Sequence, residues 1–157
     1  MTKTKEKPRS IFDDYETSRE LERDGAWVTT SKGYEFKIAR IGGMNVEYSN
    51  YLIQQGKAIQ TEIEELESRA DEELNAENSK ELEALADKMD NLMTEAFARH
   101  VVKGWRNLYD REGKEIPYTV ENAIKLMEMR ELRKELYPMA QEYATFLVSS
   151  LEKTAKN

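Results

Sequence analysis

Two short runs of the chain alternate apolar and polar residues: AWVTT at 26–30 and YEFKIAR at 34–40, separated by Ser31-Lys32-Gly33. Period-two alternation across a turn with a glycine able to take positive φ predicts a β-hairpin over 26–40. Trp27, Tyr34, Phe36 and Ile38 would supply its apolar faces. A lone hairpin is marginal in water, so it must lie against helices. Upstream, residues 11–23 predict a short helix or turn ending at Asp24-Gly25. Residues 1–10, with four basic side chains and a proline among the first nine, read as a disordered basic tail.

Beyond Gly42-Gly43 the periodicity becomes helical. Tyr48, Leu52, Ile59, Ile63, Leu66, Ala70 and Leu74 recur at intervals of three, four or seven, with Gly56 a weak point. The stripe lapses at 75–79, where Asn78-Ser79 offers an N-cap. It resumes with Leu82, Leu85, Met89, Leu92, Ala96 and Phe97 towards Val101. A helical hairpin over 44–104 is expected, its two helices antiparallel because the connection is short. A turn over 105–118 follows, then helices over 119–153. Thr119 is a good cap for the first of these, at 120–128. The second carries Leu132, Leu136, Met139, Ala140, Tyr143, Leu147 and Leu151, and Pro138 implies a kink or a new start within it. The expected fold is mainly α with a small β-hairpin (α+β): a long antiparallel helical hairpin plus C-terminal helices, in one domain over 11–157.

Composition narrows the class. An apolar share of 39% against a charged share of 35% suits a slender helical protein better than a compact α/β enzyme. The lack of cysteine excludes disulfides, thiolate metal sites and a cysteine nucleophile, and fits a reducing cytoplasm. No run approaches the length of a membrane span and the first residues lack the apolar core of a signal peptide, so no membrane partner is expected. The net charge of −7 is concentrated: residues 57–95 hold 13 Asp/Glu against 4 Lys/Arg. Such an acidic region repels phosphates, which argues against nucleic acid and permits a basic partner.

The stretch 105–123, WRNLYDREGKEIPYTVENA, is the strongest candidate for chemistry. As an EF-hand loop starting at Asp110 it would place Glu112 third and Glu121 twelfth, but Lys114 fifth and Glu115 where the turn needs glycine. Turn and cap chemistry explains the same residues without a metal. His100, the only histidine, lies on the apolar stripe three residues after Phe97, which is the position of a packed side chain. No phosphate loop follows a strand. No catalytic, metal or cofactor residues are assigned, and no enzymatic activity is expected. Trp105, Tyr109, Pro117 and Tyr118 form an aromatic cluster that either seals a helical joint or faces a partner. Methionine stripes are core by default and adaptable binding surfaces otherwise. The partner-binding candidates are Trp105, Tyr109, Tyr118, Met89, Met93 and Tyr143.

Two segments resemble a known family. DGAWVTTSKGYEFKIARIGG (24–43) is similar to the opening of many small tail proteins of long-tailed bacteriophages and prophages. HVVKGWRNLYDREGKEIPYTVENAIKLM (100–127) is similar to their central segment, where V-x-x-W-x-x-L-x-D-x-x-G-x-x-x-P-Y-T-x-E-N-A is typical. Trp105, Asp110, Gly113, Pro117, Tyr118, Thr119, Glu121 and Asn122 all fall in that register. The family is that of the phage tail assembly chaperones. The acidic segment at 57–95 is longer than the family pattern. The resemblance implies a protein without a cofactor that self-associates and coats the tape measure protein in the host bacterial cytoplasm. It also implies recruitment of the tail tube protein and absence from the mature virion. Two other readings remain at this point: an acidic, DNA-mimicking inhibitor of a host defence protein, motivated by 57–95, and a structural tail or scaffold component.

Overall fold

The computed structural model describes residues 7–70 and 76–155. Of the expected tail, residues 1–6 lie outside the described residues, as do Leu74 and the connection 71–75 between the long helices. Near the start, Ser10 and Ser18 accept backbone hydrogen bonds from Phe12 and Leu21, capping two short helices, α1 (Ile11–Tyr15) and α2 (Arg19–Asp24). Gly25, at φ 112°, turns the chain into strand β1 (Ala26–Thr29), which pairs antiparallel with β2 (Glu35–Ile38). The turn closes through Thr30, whose N–H donates to the Tyr34 carbonyl at 2.8 Å and whose hydroxyl accepts from the Tyr34 N–H.

The hairpin is one part of a three-stranded sheet. Strand β3 (Val102–Arg106) pairs antiparallel with β2, in the order β1-β2-β3. This corrects the expected end of the helical hairpin at residue 104: the helix stops at His100. Val101-Val102 is stiff and β-branched, and Gly104 would weaken a helix, while β2 has an open edge to fill. The register places Val28, Phe36 and Trp105 on the inner face and Trp27, Lys37 and Gly104 on the outer one. Trp27 therefore faces outwards, contrary to its expected place on the apolar face, with the Arg106 guanidinium 4.2 Å above its ring. Tyr34 is exposed as well, while Phe36 and Ile38 are buried.

Helices α3 (Val46–Ala70) and α4 (Ala76–His100) run antiparallel: Tyr51 lies beside His100, Gly56 beside Leu92 and Glu62 beside Lys88. Because α4 begins at Ala76, Asn78-Ser79 lies inside the helix and not at its cap. At 25 residues each, the helices are about 37 Å long. Asn45, buried just before α3, donates its side-chain amide to the carbonyls of Arg40 and His100, each at 2.9 Å. It thereby ties the base of the hairpin to the chain leaving the sheet.

Helix α5 (Val120–Met127) starts from the Thr119 cap, and α6 (Arg130–Gln141) runs through Pro138 without ending there. Pro138 is exposed, so its missing N–H leaves no buried carbonyl to satisfy. The break falls instead at Glu142, which accepts from Ala144 N–H and opens a 3-10 turn (Tyr143–Phe146) before α7 (Val148–Ala155). The core sits where sheet, hairpin base and α5–α6 meet, around Phe36, Ile38, Phe97, Val101, Val102, Met127 and Leu136. Arg133 links three helices: from α6 it donates to Thr94 and Asp90 of α4 and to the Met127 carbonyl of α5.

Candidate partner-binding surfaces

The segment 105–123 is built from its own backbone outwards. Asp110 N–H donates to the Lys114 carbonyl at 2.8 Å and Ile116 N–H to the Leu108 carbonyl at 2.8 Å, so Tyr109 and Glu115 oppose each other across a small hairpin. Gly113 supplies the positive φ (80°) that this turn requires. One Asp110 carboxylate oxygen accepts from the N–H groups of Glu112 and Lys114, both at 2.9 Å. The carboxylate that would have led an ion-binding loop therefore holds its own turn. Asn122 donates to the Pro117 carbonyl while its N–H is capped by Thr119, which fixes the entry into α5.

The aromatics of this segment divide into two kinds. Trp105 is only 9% exposed; its indole N–H donates to the Ile116 carbonyl at 2.8 Å and its ring meets Phe36 and Tyr118 edge-on. Tyr118 donates its hydroxyl to the Val102 carbonyl at 2.9 Å, and burial raises the phenol pKa. These two close the joint between β3 and the loop. Tyr109 does the opposite and is 58% exposed.

Tyr109 borders an apolar groove assembled from segments far apart in the chain. Tyr34 and Met129, 49% and 51% exposed, form its other sides, and Leu126, Leu132 and Ile116 lie in it. Its volume is about 320 Å³. Lys32, Glu131 and Glu135 are the charged residues at its rim. Glu135 accepts from the Ser31 N–H at 2.9 Å, and the hydrogen bonding to Ser31 holds its carboxyl below the usual range. That bond pins the β1–β2 turn against α6 and sets the spacing of the groove's walls.

Met89 and Met93 lie elsewhere, in a cleft along the helical hairpin with Leu52, Ile53 and Gly56. Tyr143 lies in a third place, stacked on Tyr15 with ring centroids 5.9 Å apart. The six candidates thus occupy four positions: a joint in which Trp105 is buried and Tyr118 is 40% exposed, two separate grooves and a ring stack. Sequence reasoning did not include Tyr34, Met129 and Ile53 among them. Tyr34 directly follows the glycine turn and Met129 falls between two helices; each carries a local hint of exposure but none of a shared groove.

His100 packs against the Tyr51 ring at 4.9 Å, with Glu47 3.8 Å from Nδ1. Burial depresses its pKa, and the nearby Glu47 charge only partly opposes this. Among the described residues, no group of three or more His, Asp or Glu side chains is arranged to hold a metal ion, and no helix is long and apolar enough to cross a membrane.

No curated protein and no solved structure matches the chain at a significant level. A family model, described as YdaY prophage protein, matches residues 47–157. The match takes in both long helices, β3, the loop carrying Tyr109 and all the C-terminal helices. It leaves β1 and β2 outside.

Proposed function

The chain belongs to the YdaY prophage protein family, and we propose that it works as a tail assembly chaperone. In this reading it binds and solubilises a tape measure protein in the host cytoplasm and helps recruit tail tube subunits. It acts without catalysis or a cofactor and stays out of the mature virion. The observation that carries this reading is the groove bounded by Tyr34, Tyr109 and Met129. Aromatic and methionine side chains left exposed around an apolar floor are the usual anchors of protein interfaces. The groove is small and open, which suits repeated modest contacts along a long apolar partner. Its Tyr109 wall belongs to the segment whose residues resemble the chaperones.

Coexpression with a tape measure protein from the same prophage tests the reading. Soluble yield of the tape measure should rise, the two proteins should copurify, and a Tyr34→Ala/Tyr109→Ala variant should lose most of the gain. Unchanged yield without copurification would overturn the proposal. Mass spectrometry of purified particles separates it from a structural tail or scaffold component, which would be found there. The acidic region 57–95 supports a second reading, a DNA mimic that occupies a basic host protein. The exposed apolar side chains Ile53 and Met93 on the same hairpin are of no use to such a mimic and favour the chaperone.

A further inference from the structure

We infer that one face of the α3–α4 hairpin is a docking groove for a basic amphipathic helix of a partner protein. The two faces of the hairpin differ in kind. On one, Glu62, Glu65, Arg69, Glu81 and Lys88 surround Leu66 and Leu85, with Lys88 4.0 Å from Glu62. At about 100° per residue, Ile53, Lys57, Gln60 and Glu64 point to the opposite side of α3. There they meet Met89 and Met93 of α4 across a cleft of about 480 Å³. Ile53 is 66% exposed and Met93 40%. Gly56 is buried in the cleft, where an added Cβ would lie 3.5 Å from Leu92 Cδ2, so the helices approach closely and the floor stays shallow. Two antiparallel helices with an apolar row exposed along one side are two thirds of a three-helix bundle. The missing element is a third helix with apolar residues at i, i+3, i+4 and i+7.

Charge selects the occupant. The groove's own rim is balanced, Lys57 against Glu64, but residues 57–95 hold 13 acidic against 4 basic side chains. A helix flanked by lysine and arginine would be attracted to the hairpin, and an acidic helix repelled. The same excess disfavours a second copy of this chain, because two such hairpins face to face would repel each other. Flexible methionines at the centre of the groove tolerate side chains of varied shape, so the fit is to a class of helix and not to one sequence.

The test uses the full chain and a synthetic peptide about 20 residues long, enough to span about 30 Å as a helix. The peptide has leucine at i, i+3, i+4 and i+7 and lysine elsewhere; a counterpart has glutamate in place of lysine. The lysine peptide should bind, gain helicity on binding and weaken with salt, and the glutamate peptide should not bind. Ile53→Gln/Met93→Gln leaves the charge unchanged, removes two exposed side chains and should weaken binding about ten- to a hundredfold. Tyr34→Ala/Tyr109→Ala should leave it intact. Unchanged affinity in the glutamine variant would reduce the effect to adhesion on an acidic surface and overturn the inference. So would equal binding of the glutamate peptide. Sedimentation showing a dimer that the glutamine variant dissolves would assign the groove to self-association instead. The inference does not depend on the chaperone reading: peptide binding with no effect on tape measure solubility would leave it standing and sink that reading.

Discussion

Replacing Asn45 should loosen the molecule where the hairpin joins the sheet. Its buried amide makes two hydrogen bonds of 2.9 Å, one to the Arg40 carbonyl and one to the His100 carbonyl, which ends α4. Asn45→Ala leaves both carbonyls without that donor in a site that is only 2% exposed. A buried polar group left unsatisfied costs about 1–3 kcal/mol, so the pair should cost about 2–4 kcal/mol, some of it relieved by water entering. In a chain of this size that lowers the melting temperature by about 5–15 °C. Asn45→Asp keeps the shape but puts a single oxygen in place of the Nδ2 that faces both carbonyls. Its carboxyl would be pushed above the ordinary value of about 3.9 by burial and by the facing carbonyls. With the folded pKa raised, the destabilisation should be greatest at neutral pH and should shrink as the pH falls through the folded value. The Ala variant should show no such trend. Urea unfolding followed by far-ultraviolet circular dichroism reads both, as a shift in midpoint at constant slope. The reasoning fails if either variant lies within about 0.5 kcal/mol of the parent at neutral pH, the range of ordinary surface substitutions.

Three further outcomes follow from the packing. His100 has a pKa held below its ordinary 6.5, chiefly by burial, so its contribution to stability is complete above that value. It is lost as the pH falls through the folded value; urea midpoints should drop across that window in the parent and flatten in His100→Gln. Gly43 has φ 57° and a Cβ placed there would lie 2.5 Å from Oε1 of the buried Glu22, which pairs with the half-buried Arg40. Gly43→Ala should therefore cost about 1–3 kcal/mol in a thermal melt, more than Gly33→Ala, where φ is also positive but nothing lies within 4 Å. Trp105→Phe removes the bond to the Ile116 carbonyl and should destabilise by about 1–2 kcal/mol. Trp27→Phe, on the exposed sheet face, should change stability by less than about 1 kcal/mol, as measured by chemical denaturation.

Local signals account for the parts of the fold that could be read in advance. Period-two alternation around Gly33 marked β1 and β2, and the Thr119 cap marked the start of α5. Strand β3 escaped because its buried residues, Val102 and Trp105, lie three apart across a register shift, so Val102–Arg106 shows no period-two alternation. Its conformation is decided by the open edge of β2, some 65 residues earlier in the chain. The same long-range pairing turned Trp27 outwards, since Val28 is the residue that lies opposite Phe36. Pro138 did not start a new helix: α6 runs through it, and the carbonyl that loses its hydrogen bond is on the surface. The candidate site was legible in fragments. Tyr109, Met89 and Met93 stood out as residue types, but the grooves they border depend on Tyr34, Met129 and Ile53, which only tertiary structure brings alongside.

The two ends of the described chain are clasped together. Ser18 N–H donates to the Phe146 carbonyl at 2.8 Å, Val148 N–H to the Glu16 carbonyl at 2.9 Å, and Tyr15 lies on Tyr143. During synthesis the early half of this clasp leaves the ribosome long before its partner exists. At about 5–20 residues per second, the roughly 130 residues between them take on the order of ten seconds. Residues 11–18 dock only when the last helix emerges, so for most of its birth the chain carries an unclosed seam.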